Sequence, residues 1–541
     1  MGLPALERII SMQRERRRRQ TRARGKLPPP PPPLSQLPRP PQRIFCGSIA
    51  SAPKRKSSAL HLQQDGNSQG AKRMKYLPIL PEDIWWHIHS LMPMLDAARA
   101  ACVSRTFMHS WRRHTSLTFS EKTLGMDESV CEKDGKARDL TYKVANISIE
   151  HPGIGVKRVR IEFDDYKTRA YYLDRWLQIA ITTGIEELSV SSSMCQKRFK
   201  FPWSLLSEGS GNSIRYLDLS WCAFRPTVRL GLRSLTQLTL FDVHISETEL
   251  ACLLDNSFSL QQLTLMWCSK IVRLKIPPLV QQLITLEVLG CKRLQAIEID
   301  AQTLSKFFFC GKQLVQLSFG EALHLKTVDM HSRGAVCDAR ANLPSSLPNL
   351  ETLSVYSYCE AVSTPMVGSK FPFLKHLTVK LAAAAAAAAA PDYDYCSLIS
   401  FFDASPSLET FFLNAFLGSM HHPSILGDPS GRRQMPEHRY DKLKNVTIVG
   451  FSSAKTLVEL TCHILDSSKS LEFLTLDATQ GYDYLRCSVN RSGKCFPVSR
   501  DVILEGRRGL LAIKKYIKGN VPPKVKFTIV EPCSQCHVVE L

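Results

Sequence analysis

Between residues 214 and 291 the chain repeats one spacing of apolar residues four times. The units are Ile214-Leu217-Leu219-Cys222, Leu235-Leu238-Leu240-Val243, Leu260-Leu263-Leu265-Cys268 and Leu283-Leu286-Val288-Cys291, and their starts lie 21, 25 and 23 residues apart. Two positions in each unit alternate, so both side chains leave the same face of a strand. One unit cannot cover that face by itself, so neighbours must stack and bury a shared core. Cys takes the last place in three of the four units, where its thiol can donate a hydrogen bond into the turn.

This is the strand pattern of a leucine-rich repeat, L-x-x-L-x-L-x-x-(N/C), and it predicts an α/β solenoid with parallel strands over residues 121–490. Weaker copies stand at Ile185-Leu188-Val190, Leu350-Leu353-Val355, Leu374-Leu377-Val379, Leu408-Phe411-Leu413, Leu443-Val446-Ile448 and Leu471-Leu474-Leu476. One stretch departs from the period. Strand-like units begin at Leu283, Leu294, Leu304 and Leu314, only 10 or 11 residues apart, about half an ordinary repeat. Either alternate units lie on the return side of the coil, or these turns are unusually tight. A run of nine alanines closed by Pro391 interrupts the array at 381–391 and reads as a loop insertion. Segments 121–145 and 417–440 are polar and irregular, as loops are. At 491–541 the pattern changes to a helix ("LLAIKKYI"), a turn ("GNVPP") and a strand ("KVKFTIV"), which would cover the open end of the last repeat.

A chain of 541 residues, 44% hydrophobic and 22% charged, is long enough for several domains and has the composition of a soluble globular protein. Its formal charge of +21 suggests nucleic acid until it is located, because residues 1–75 hold +14 of it. Those residues run from "RERRRRQTRARGK" into "LPPPPPPLSQLPRPPQ", a composition that reads as a disordered tail. Basic clusters at 14–26, 54–56 and 72–75 suit nuclear import, and no aromatic residue interleaves the first as a stacking platform for nucleic acid would need. The Arg-rich, acid-poor leader also has some character of a transit peptide. The 17 cysteines are scattered singly, which points to free thiols in a reducing compartment. No run of about 18 apolar residues predicts a membrane span. Nucleus, cytoplasm or both is the expected location.

Between tail and array lies "LPEDIWWHIHSLMP", residues 80–93. Leu80, Ile84, Ile88 and Leu91 form a helical stripe, Pro81 suits the first turn, and Pro93 ends the helix. Asp96 is placed to cap a second helix and Thr106 a third, in which Phe107 and Trp111 share a face. Three helices in so few residues make a very small core and leave apolar side chains for a partner.

The sequence "LPEDIWWHIHSLMPMLDAARAACVSRTFMHSWRRH" resembles the F-box, in the order Leu-Pro-x-Asp/Glu-Ile, Ile-x-Ser-Leu, an Ala-rich segment, Val-Ser-Arg and Trp-Arg. It looks like plant F-box proteins with leucine-rich repeats, and residues 491–541 look like the FBD-like closing segment of those families. The resemblance implies an F-box over 76–120 that docks on a Skp-family adaptor and so joins a cullin-based ubiquitin ligase. Leu80, Pro81, Ile84, Ile88, Leu91 and Pro93 would face the adaptor, while Val103 and Trp111 would complete the module's core and its adaptor-facing edge. Trp86 and Leu95 depart from the pattern, standing where a polar or basic residue would be more comfortable.

Searched for catalytic chemistry, the chain offers little. Cys533-Ser-Gln-Cys536-His537 matches the haem-attachment spacing C-x-x-C-H, but no haem pocket or fourth metal ligand accompanies it. Gly153-Ile-Gly155 lacks a third glycine, and no P-loop, zinc-protease helix or nucleophile elbow occurs. The reading is therefore non-catalytic, with no cofactor and no metal. In the receptor hypothesis the array holds an unknown protein substrate. In the alternative, the repeats are a scaffold without a ubiquitin role, and a tail-driven nucleic-acid binder ranks last. Trp221, Arg225 and Trp267, near the strands, are candidates for substrate contact.

Overall fold

A computed structural model describes residues 80–120, 122–124, 142–144, 147, 155–163, 176–178, 181, 184–192, 198–206, 211–225, 232–320, 324–358, 360, 363–366, 368–382, 393–416, 422–479 and 500–534. The expected tail at 1–75, the poly-Ala run beyond Ala382, most of 121–145, and Cys536 and His537 lie outside the described residues.

Three short helices come first: α1 (Glu82–Leu91), α2 (Met94–Ala101) and α3 (Arg105–Trp111). The expected caps are corrected. Helix α2 begins at Met94, with Pro93 as its N-cap, so Asp96 falls in the first turn and pairs with Arg99 at 3.3 Å. Ser104, not Thr106, precedes α3. The Pro93 carbonyl accepts from the amides of Asp96 and Ala97 at 3.0 Å, just as the Pro81 carbonyl accepts from Ile84 and Trp85 at 3.1 and 3.2 Å. At each of these N-caps the proline carbonyl thus takes the third and fourth helical amides, and no side chain caps the helix.

The strands follow. β1 (Ser116–Phe119), β2 (Arg158–Phe163) and β3 (Glu187–Ser192) open the main sheet, and β4 (Phe199–Lys200) pairs aside with β6 (Cys222–Ala223). The repeats singled out by their leucines supply β5 (Tyr216–Ser220), β7 (Gln237–Phe241), β8 (Gln262–Met266) and β10 (Thr285–Leu289). Next come β12 (Lys306–Cys310), β14 (Thr327–Ser332), β15 (Thr352–Tyr358) and β16 (His376–Ala382). Last are β17 (Thr410–Phe416), β18 (Asn445–Val449), β19 (Phe473–Asp477) and β20 (Lys526–Val530). Fifteen strands, all parallel, stand in chain order in this sheet. One inward column runs Leu217, Leu238, Leu263, Leu286, Phe307, Val328, Leu353, Leu377, Phe411, Val446 and Leu474, with no slip of register. Every member of that column is at most 1% exposed. Burying each such side chain contributes roughly 1.5–3 kcal/mol, which is why the period of the leucines specifies the coil.

The crowded units at 283–314 sort onto two walls. Leu283 and Leu304 lead into β10 and β12 of the main sheet, whereas Leu294 and Leu314 lead into β11 (Ala296–Ile299) and β13 (Gln316–Phe319). With β9 (Arg273–Ile276), these two form a second parallel sheet of three strands. Each of these coils therefore returns through a strand. Other coils return through helices: α4 (Glu247–Leu254), α5 (Ala335–Ser346), α6 (Ile399–Ala404) and α7 (Lys455–Ser467).

The last cysteine of the repeat behaves as its position suggests. The Cys268 thiol donates to the Leu240 and Met266 carbonyls at 3.5 and 3.7 Å, and Cys291 reaches the Leu265 and Leu289 carbonyls at 3.9 and 3.8 Å. At the far end, α8 (Arg500–Ala512) begins earlier than the expected helix and continues through one π-helical turn at Ile513–Ile517. It then leads into β20, the fifteenth strand of the main sheet, beside β19. Gly506 and Gly509, one turn apart, let α8 pack tightly, since a Cβ on them would meet the Ala478 and Phe451 carbonyls at 2.6 and 2.7 Å. Among the described residues no helix is long and apolar enough to cross a membrane.

Candidate docking surfaces

The three-helix unit has a real but small core. Met94, Ala97, Ala101 and Trp111 are buried, with Trp111 7% exposed. Trp85 meets Phe107 edge-on at 5.1 Å, and the buried His89 ring lies 5.0 Å from the same phenyl. His114 anchors the unit to the first strand: Nδ1 accepts from the Ser116 amide at 3.3 Å, so Nε2 carries the hydrogen donated to the Met92 carbonyl at 3.1 Å. Burial, and secondarily the charge His114 would carry, hold His89 below its ordinary 6.5.

Around that core lies an apolar surface. Ile84 is 41% exposed, Ile88 36%, Leu91 73%, Val103 81% and Met108 42%. Ile84, Ile88 and Leu91 occupy i, i+4 and i+7 of α1, one stripe of the helix. Pro81 and Pro93 are exposed at its two ends, and Leu80 is half-buried. Val103 and Trp111, paired by the sequence reading, are separated here: Val103 faces solvent and Trp111 belongs to the core. Met108 was missed, although Phe107 and Trp111 facing inward at i and i+4 leave the position beside them pointing out. Trp86 is half-buried beneath the Arg113 guanidinium, 4.1 Å from its ring centroid, which makes its indole part of the local packing.

On the array, the residues that alternate with the inward column line the outer face of the main sheet. In its middle column stand Asp218, Thr239, Thr264, Glu287, Phe308 and Asp329 on successive strands. One step further along each strand pair come Phe241, Met266, Leu289, Cys310, His331 and Tyr356. Just past the strand ends, Trp221, Asp242, Trp267 and Gly290 occupy equivalent places, all with positive φ (59°, 47°, 61° and 64°). Their amides donate to the Phe241, Met266, Leu289 and Cys310 carbonyls at 2.9, 2.7, 2.7 and 2.6 Å, so the ladder itself holds three non-glycine residues in the left-handed region. Arg198 pairs with Asp242. Arg225 is exposed beyond β6. Burial first, then the Asp329 charge, pushes the Cys310 thiol up to about 11, so it stays protonated near neutrality.

Residues 77–118 match the F-box domain family, and residues 147–534 match the family described as At1g61320/AtMIF1, LRR domain. Among curated proteins, the F-box/LRR-repeat protein At3g03360 of Arabidopsis thaliana is 22% identical over 228 residues, 41% of this chain and 44% of that protein. The chain thus spans less than half the length of that relative. Among solved structures, the functional domain of InlJ from Listeria monocytogenes, which includes a cysteine ladder, aligns with TM-score 0.23 and 12% identity over 56% of this chain and 70% of that one.

Proposed function

The chain belongs to the plant family of F-box proteins with a leucine-rich-repeat domain of the At1g61320/AtMIF1 type, and from that premise we propose that it is the substrate-recognition subunit of an SCF-type ubiquitin ligase. The F-box docks on a Skp-family adaptor and through it on a cullin, while the repeat array holds a protein substrate. The chain contributes no catalytic group. It raises the local concentration of the substrate beside the ubiquitin-carrying subunits and orients it. The observation that carries the reading is the apolar surface of the helical unit: Ile84, Ile88, Leu91, Val103 and Met108 stand in solvent around a core too small to absorb them. Leu80, Pro81 and Pro93 extend the same surface. In this reading Trp111 supports the adaptor face from beneath. The basic clusters of residues 1–75 serve nuclear import, and the protein works in the nucleus, the cytoplasm or both.

Adaptor binding tests the proposal. The full chain is expected to be retained by a purified Skp-family adaptor, and an Ile84→Ala/Leu91→Ala variant, checked for an unchanged melting transition, is expected to lose it. Interface anchors of this kind contribute about 2–4 kcal/mol each. A folded wild-type chain that the adaptor does not retain overturns the receptor reading and leaves a scaffold.

A further inference from the structure

We propose that the outer face of the main sheet between β5 and β15 receives an extended segment of a partner protein in which lysines or arginines are interspersed with apolar residues. The inference rests on the reading of the array as the substrate-holding part, and it names the class of segment held there.

Two features of the face meet. The first is a row of half-buried apolar side chains toward one end of the strands, Trp221, Phe241, Met266, Trp267 and Tyr356, with Phe308 in the column beside them. Their rings lock one another in place rather than flexing. Trp221 lies 5.5 Å from Phe241, Phe308 lies 5.0 Å edge-on to His331, and His331 lies 5.3 Å from Tyr356. Trp267 lies against Gly290, where an added Cβ would come within 3.3 Å of the indole. The two tryptophans stand at left-handed backbone positions that L side chains disfavour, and such positions concentrate where a protein recognises something. Preset aromatic surfaces of this kind bind with little loss of side-chain freedom.

The second feature is charge. Asp218, Glu287 and Asp329 stand in the column beside that row, three and then two strands apart, which is about 14 and about 10 Å along the array at the usual strand spacing. Their partners are hydroxyls and an imidazole: Ser189 donates to Asp218 at 3.2 Å, Thr264 to Glu287 at 3.1 Å, and Asp329 lies 2.8 Å from His331 Nε2. Among the described residues none of the three forms an ion pair with a lysine or arginine. The cations nearby are Lys306 at the start of β12, Lys292 in the turn after β10, 6.0 Å from the Trp267 ring, Arg198, which pairs with Asp242, and Arg160 of β2, whose charge reaches Asp218 but which pairs with Glu162 at 2.6 Å. Three carboxylates without a lysine or arginine ion pair repel nucleic acid and acidic peptides and leave room for cations. Alternate residues of an extended segment would set apolar groups on the aromatic row and extend basic ones to the carboxylates.

The test uses the full-length chain, immobilised through a C-terminal tag, and a phage-displayed library of short random peptides as the probe. Recovered clones are expected to carry Lys and Arg well in excess of Asp and Glu, together with Leu, Phe or Trp. An Asp218→Asn/Glu287→Gln/Asp329→Asn variant with an unchanged melting transition is expected to recover those clones about tenfold less well, and Glu298→Gln, on the return wall, as well as wild type. Neutral or acidic clones, no enrichment, or equal recovery by the triple variant overturns the inference. The same immobilised chain is offered the Skp-family adaptor. An adaptor retained without basic selection sinks this inference alone, whereas an adaptor not retained sinks the receptor reading whatever the peptides show.

Discussion

The helical unit and the repeat array spend their apolar residues in opposite ways. Of the fourteen large apolar side chains exposed among the described residues, five lie between Ile84 and Met108, and the remaining nine are scattered over the array. In the main sheet of the array every strand from β2 to β19 has a neighbour on each side, so the alternating residues of one coil are covered by the next. In the helical unit nothing among the described residues covers the outer stripe of α1. The same chemistry, leucine and isoleucine at regular spacing, therefore stabilises the fold in one region and stays available to a partner in the other. What separates the two is the availability of a next repeat.

The comparison breaks most directly at the array's core. Phe411 is fully buried in the inward column, and Phe411→Ala is expected to cost about 3–5 kcal/mol, read as an earlier urea midpoint for the array. A cost near zero would mean that the column is not a shared core. Next in size is Gly509→Ala at the closing helix. The new methyl group would press on the Phe451 carbonyl, and a loss of about 1–3 kcal/mol is expected, with faster hydrogen exchange in α8 and β20 as the local signature.

Acid should weaken both regions, each through a buried imidazole. His89 in the helical unit and His463 in α7 are both held below 6.5, in each case by burial first and then by a neighbouring histidine, His114 and His438 respectively. A depressed folded value means that the unfolded chain takes up protons first. Stability is therefore level above pH 6.5 and declines as pH falls below it. Protection of peptides covering 82–114 and 455–467 from hydrogen exchange, relative to the intrinsic rate at each pH, is expected to fall over that window and to stay level above it. The smallest effect belongs to the exposed stripe. Leu91→Ala, at a side chain 73% exposed, should move the melting transition by less than about 0.5 kcal/mol while weakening adaptor binding. A large loss of stability there would show the stripe to be structural and remove the contrast between the two regions.

Much of this architecture was legible in the residues. The period of Leu217, Leu238, Leu263 and Leu286 dictated stacked parallel strands, because only a neighbouring coil can cover the face that alternate residues share. The prolines at 81 and 93 marked where α1 begins and where it gives way to α2. Other features depend on distances that sequence does not carry. The caps at Asp96 and Thr106 were misplaced because α2 begins at Met94 behind Pro93 and α3 at Arg105 behind Ser104, starting points that backbone geometry decides. Val103 and Trp111 read alike as apolar, yet packing put one in solvent and the other in the core. The units 10 or 11 residues apart were ambiguous until β9, β11 and β13 closed a second wall.

The outer face of the main sheet was the least legible part. Asp218, Glu287 and Asp329 are 69 and 42 residues apart in the chain and unremarkable one by one. They form a row only because the unslipped register of the main sheet sets equivalent positions side by side. The spacing of apolar residues determined that this protein is a coil with a small helical unit in front of it, since burying those side chains is the dominant favourable term. Which of its surfaces are apolar, which are charged and which residues stand together was decided by the stacking of the coils, because adjacency across strands is a property of register and not of sequence order.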